Sequence, residues 1–234
     1  MRLLKSNRLY CFSPPVMIAT FVIETILLIY TVVRYKMSPI TRIVAATLAL
    51  LAIFQFAEYH VCGHSFIPAS WSRIGFVAIT LLPPLGIHLV QQIAGKKSYW
   101  QLAVAYGSSL AFVILFGLDQ TIFSGHVCAG NYAIFQMRSP MGGLYFIWYY
   151  FLLFCGIGMS LYYAGKAKPN IRKALFLQIV GYISFILPTS IVNALNPQTL
   201  SGVPSIMCGF AVTYALMLTF GVVPLVLKRK DSKK

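Results

Sequence analysis

The side chains able to do chemistry are few: four carboxylic acids, four histidines and five cysteines among 234 residues. The acids are Glu24, Glu58, Asp119 and Asp231. Glu24 stands inside an apolar run, and an ionisable group at membrane depth is costly and marks a functional position by default. Gln55, Thr80 and Tyr214 stand in other apolar runs, and Glu58 lies one helical turn beyond Gln55 on the same face. Such groups can bind a ligand, relay a proton, or do no more than tie helices together. A second set is the repeated string His60-Val61-Cys62-Gly63 and His126-Val127-Cys128-Ala129, with His64 beside the first copy. In an oxidising compartment Cys62 and Cys128 would form a disulfide. The same residues offer zinc or copper ligands, although H-x-C is no established metal signature. Cys11 is the odd thiol or replaces one of the pair, and Cys155 and Cys208 read as small apolar residues.

The elements that carry these residues follow from composition. The chain is 59% hydrophobic and only 10% charged, against about a quarter charged in an ordinary soluble domain. It cannot cover a water-facing surface. A bilayer-spanning helix needs about 20 mostly apolar residues, and seven stretches qualify: approximately 15–33, 42–59, 71–94, 100–118, 143–165, 173–195 and 204–227. The second is the shortest. Apolar and polar residues do not alternate as a membrane β-barrel requires. The expected fold is therefore an all-α membrane protein, a single seven-transmembrane-helix bundle.

Net charge sets the expected orientation. Of 19 basic residues, 14 fall in loops one, three and five and the C-terminal tail, and five in the N-terminal segment and the even loops. The positive-inside rule then places the N-terminus outside and the C-terminus in the cytoplasm. Arg2, Lys5 and Arg8 resemble a signal-peptide n-region, but the apolar run after them is too long, so it reads as an uncleaved first span. A net charge of +15 then reflects topology and attraction to anionic lipid, and nucleic acid is not an expected partner.

Counting along straight helices puts Glu24 about 13 Å below the outer surface. Gln55, Thr80 and Tyr214 fall at a similar depth, with Thr189 and Ser190 slightly above. One polar layer in the outer half of the bundle would form a ligand pocket with Glu24 as its floor, and Trp148, Tyr149 and Tyr150 would close it. The competing expectation is a structural network in which Glu24 hydrogen-bonds Gln55. At the rim, Glu58 or Asp119 would pair with Arg73 or Arg138. His88 reads as a packing residue, Pro83-Pro84 as a break in the third span, and Gly107 with Ala111 as a small-residue helix contact. No lysine lies inside a span, since Lys173 only opens the sixth, which excludes a retinal Schiff base. One intramembrane histidine excludes bis-histidine haem, and no nucleophile–base or metal set converges.

Cys11-Phe12-Ser13 before the first span and Gln55-Phe56-Ala57-Glu58 ending the second resemble an uncharacterised family of bacterial multi-pass membrane proteins. Its members open with Cys-Phe-Ser and carry Gln-Phe-x-Glu in the second helix. The resemblance covers about 80 residues and implies that Cys11, Gln55 and Glu58 are shared positions; it implies no activity. The seven-span layout is also similar to the membrane sensor modules that precede bacterial histidine kinases, although no catalytic segment follows here. The combined expectation is a non-enzymatic receptor-like or sensor module in a bacterial cytoplasmic membrane, with no cofactor. Glu24, Gln55, Glu58, Thr80, Trp148 and Tyr214 would bind a small amphipathic ligand; the partners would be membrane lipids and a cytoplasmic signalling protein. The alternative is a small proton-coupled transporter using Glu24 and the proline-broken helices.

Overall fold

The structure, a computed structural model, describes residues 14–62, 68–119, 121–129, 132–138, 140–196, 199 and 202–231. Seven helices are long and apolar enough to cross a membrane. They are α1 (Pro14–Arg34), α2 (Pro39–Cys62), the pair α3 (Pro68–Thr80) and α4 (Leu82–Ala94), α5 (Tyr99–Leu118), α6 (Met141–Gly165), α7 (Pro169–Leu195), and α8 (Val203–Leu216) continued through a π-helical segment, Met217–Val222, into α9 (Val223–Asp231). Large apolar side chains such as Ile26, Ile147 and Phe151 are more than half exposed, a surface suited to lipid rather than water. This is a multi-pass membrane protein.

Local chemistry explains the boundaries. The second span is 24 residues, not the shortest, because it starts earlier and ends later than the apolar run. Ser38 caps it, its hydroxyl accepting from the Thr41 N–H at 3.2 Å, and Pro39 follows where a missing N–H costs nothing. The third span breaks at Leu81, and Pro83 and Pro84 fall in the first turn of α4, where proline is tolerated. Gly95 ends α4 in the left-handed region at φ 67°, with the Lys96 N–H reaching the Gln91 carbonyl at 3.0 Å.

Between α5 and α6 the chain forms an antiparallel hairpin, β1 (Phe123–Ala129) with β2 (Tyr132–Met137), in which Cys128 lies opposite Ala133. The connection between the fourth and fifth spans is thus mostly strand, and its end of the bundle is called here the hairpin end. Residues 35–38, 95–98 and 166–168 link spans at the opposite, basic end. The hairpin packs inward through Ala133 and Phe135, with the Phe135 ring 5.1 Å from Phe76 and 6.3 Å from Phe54.

Deeper in the bundle, Tyr182 of α7 fits its ring end against Gly86 of α4 and Gly156 of α6, while the Tyr214 ring lies over Gly181. The two tyrosine rings stack at 5.5 Å. These glycines make the close approaches. Gly107 and Ala111, expected to mark a helix contact, face away from the bundle, and a Cβ on Gly107 would meet nothing within 4 Å. Alanine in place of a mid-helix glycine gains about 0.5–1 kcal/mol of propensity, so Gly107→Ala should stabilise slightly. In Gly181→Ala the new methyl collides with the Tyr214 ring, and overpacking of about 1–3 kcal/mol outweighs that gain. Thermal unfolding in detergent should show opposite shifts; a higher midpoint for Gly181→Ala would refute the seat.

The last span carries its own irregularity. In the π segment the Val223 N–H bonds to the Leu218 carbonyl, five residues back. In that register Pro224 should serve the Thr219 carbonyl but has no N–H to give. The Tyr35 hydroxyl supplies the bond instead, at 3.1 Å, and the Thr31 and Thr219 hydroxyls lie 3.4 Å apart. This pins the basic end of α1 to the last span.

Candidate functional site

Two carboxyls of the expected site converge, and Gln55 lies one turn from Glu58 on the same face of α2. Glu24 of α1 and Gln55 and Glu58 of α2 are buried at 0%, 1% and 2% exposure. Glu24 and Glu58 are close enough to interact electrostatically, and both act on the buried Cys208 of α8. Glu58 accepts hydrogen bonds from the Ser205 hydroxyl and the Ala133 backbone N–H. Ser205 Oγ in turn accepts from that N–H at 3.2 Å. Glu58 is therefore held inside the bundle, under the hairpin, and not in the rim ion pair expected from its position near the helix end. Asp119 is not paired at the rim either. The Thr121 hydroxyl and N–H, at 2.7 and 2.8 Å, hold its carboxyl below the usual range, and Arg138 acts on it only through space.

The carboxyl pair is poorly satisfied. Among the described residues, both Glu24 oxygens, Oε1 of Glu58 and Nε2 of Gln55 have no hydrogen-bond partner. Buried polar atoms are paired in nine cases out of ten, and an unpaired one costs about 1–3 kcal/mol. Four in one cluster distinguish it from the helix-tying network, which would have Glu24 and Gln55 bonded to each other. Their chemistry is lopsided: three acceptors and one donor, with no basic side chain among the described residues acting on either carboxyl.

The other expected lining residues are directed elsewhere. Thr80 meets the Tyr145 hydroxyl at 3.0 Å, the Trp148 indole donates to Ser108 Oγ at 3.0 Å, and Gln178 Nε2 donates to the Tyr214 hydroxyl at 2.5 Å. Tyr214 does line a small cavity, of about 30 Å³, with Tyr149, Tyr182, Phe185, Met207 and Cys208. That is room for one or two waters and not for a ligand. Cys208 is the common wall of cavity and carboxyl pair. The single polar layer thus resolves into the acidic cluster under the hairpin, a Thr80–Tyr145 contact and a Gln178–Tyr214 contact. Ser205, Ala133, Cys208 and Gln178 are the participants that depth counting did not find.

At the hairpin end Cys62 and Cys128 form a disulfide with Cα atoms 5.7 Å apart. His60 does not join them as a ligand; its ring stacks on Trp71 at 4.4 Å and meets Phe56 edge-on at 4.5 Å. Among the described residues no three His, Cys, Asp or Glu side chains gather as a metal site. Cys11 and His64 lie outside the described residues. His88 is bound within the bundle, Nδ1 to the Tyr106 hydroxyl at 3.1 Å and Nε2 to Gln92 at 3.3 Å.

The fold and the buried acidic cluster define the class, a multi-pass membrane protein with an acceptor-rich site between its first, second and last spans. Comparison with protein-family models and with curated proteins finds no match.

Proposed function

We propose that the protein is a receptor-like sensor module whose site is the Glu24–Gln55–Glu58 cluster. The observation that carries this reading is the set of four unpaired buried polar atoms at one place. A fixed structural network has no use for them, whereas a ligand with hydrogen-bond donors or a positive charge would satisfy them. The aromatic wall of Tyr149, Tyr182 and Tyr214 beyond Cys208 suits the apolar part of a small amphipathic molecule. A cavity of about 30 Å³ is closed to such a ligand, so binding requires movement. α1 is the natural mover: it is pinned at its basic end by Tyr35 and Thr31, while both Glu24 oxygens, nearer the hairpin end than that pin, bond to none of the described residues.

The excess of basic residues at the end opposite the hairpin supports a hairpin end that faces out of the cytoplasm, and a disulfide there suits an oxidising compartment. Residence in a bacterial cytoplasmic membrane rests on the family resemblance of Gln55-Phe56-Ala57-Glu58. A ligand-driven tilt of α1 would reach a cytoplasmic partner through the pinned end. A transporter remains the second reading, favoured by the breaks at Leu81 and at the π segment, which interrupt two spans within the bilayer.

The test is a titration of protein in nanodiscs with amphipathic primary amines of increasing chain length. A saturable rise in thermal midpoint is expected, at least tenfold weaker in affinity for Glu24→Gln. Glu24-dependent, proton-driven uptake of the same amine into liposomes would move the assignment to transport. No response to any amine, with Glu24→Gln indistinguishable from wild type, would defeat both readings.

A further inference from the structure

A separate groove runs down the flank of α3 between α2 and α5. It encloses about 400 Å³ and is walled by Leu50, Ile53, Ile74, Val77 and Gly117, with Arg73 at the hairpin end. We infer that this groove binds one anionic phospholipid of the surrounding bilayer, its phosphate at Arg73 and one acyl chain in the cleft.

Arg73 is a half-buried cation whose described hydrogen bond is to a neutral group, Ser70 Oγ at 3.3 Å. The acids that could have neutralised it are engaged elsewhere: Glu58 faces Ser205 and Ala133, and Asp119 is taken by Thr121. A guanidinium with its donors available at the mouth of an apolar cleft matches a phosphate. The dimensions match the rest of the molecule. Gly117 is one residue below the end of α5, Arg73 five below the start of α3 and Leu50 twelve below the end of α2, so the groove runs from about 2 to about 18 Å depth at 1.5 Å per residue. One leaflet of a hydrocarbon core is about 15 Å thick. Gly117 leaves the α5 side open, since a Cβ there would meet nothing within 4 Å.

The experiment uses delipidated full-length protein in neutral detergent. It is titrated with phosphatidylglycerol or with phosphatidylcholine of identical chains, reading thermal midpoint and, by native mass spectrometry, retained lipid. Phosphatidylglycerol is expected to bind at least tenfold more tightly. Arg73→Gln should abolish the preference, while Arg138→Gln, a second cation at the same end, should keep it. Gly117→Leu puts a side chain into the open side, where its Cβ meets nothing within 4 Å, so it should weaken both lipids without lowering the lipid-free midpoint. Soluble glycerol 3-phosphate should not compete. Equal binding of the two lipids, a preference that survives in Arg73→Gln, undiminished binding by Gly117→Leu, or competition by glycerol 3-phosphate would each overturn the assignment.

Discussion

Serine at both Cys62 and Cys128 should destabilise the protein by about 2–4 kcal/mol and free the hairpin. The closed loop spans 66 residues, for which chain entropy alone gives about 4 kcal/mol in a soluble protein. Two membrane-crossing spans, the α3–α4 pair and α5, already confine this loop, so part of that entropy is lost before the bond forms. The local effect is sharper than the global one. Cys128 lies opposite Ala133 in the hairpin, and the Ala133 N–H is what Glu58 and Ser205 share. Loosening the strand removes a donor from a buried carboxyl that already lacks one on its other oxygen. Arg138 is exposed immediately after β2, so trypsin cleavage at that bond is a direct readout. It should accelerate at least tenfold in the double variant, and in wild type under a dithiol reductant. Unchanged cleavage in both would mean that the disulfide does not hold the hairpin.

The second large effect runs the other way. Glu24→Met should stabilise the protein by about 2–3 kcal/mol, because it replaces two unpaired buried oxygens with a flexible apolar side chain of similar length. For a chain of this size that corresponds to a midpoint roughly 5–10 °C higher. A structural network predicts the reverse, since deleting one member of a satisfied set leaves its partners stranded. Thermal unfolding of Glu24→Met therefore separates a site kept for binding from a site kept for folding, and a lower midpoint would decide for folding. Glu58→Met is the internal contrast: two donors depend on Glu58, so that substitution should destabilise.

The seven spans were legible because each rests on some twenty apolar residues acting together, and no single substitution obscures such a signal. Side-chain partners were not legible, because counting depth from helix ends assumes straight helices starting level. Gln55 and Glu58 could be placed on one face from the i+3 spacing alone, and Glu24 from its cost in the bilayer. Thr80 could not be assigned to Tyr145, nor Tyr214 to Gln178, because those contacts depend on helix rotation. The hairpin was partly readable: Gly130-Asn131 is a dipeptide type favoured between paired strands, and Ala133 and Phe135 alternate with less buried neighbours. The surrounding apolarity hides its period of two. The glycines were misassigned for a related reason. Four-residue spacing picked out Gly107, while the seats that matter, Gly86, Gly156 and Gly181, lie on three different helices and share only the tyrosines they receive.

The π-helical segment also divides the last span into two reading frames. A π turn holds about one residue more than an α turn, so the residues after Val222 are rotated by roughly one position, about 100°, from where α8 alone would send them. Cys208 and Tyr214 stand before the π segment, Val222 ends it and Val223 follows it, and all four are buried. The wider turn thus re-aims α9 by about one residue while Val222 and Val223 stay against the bundle.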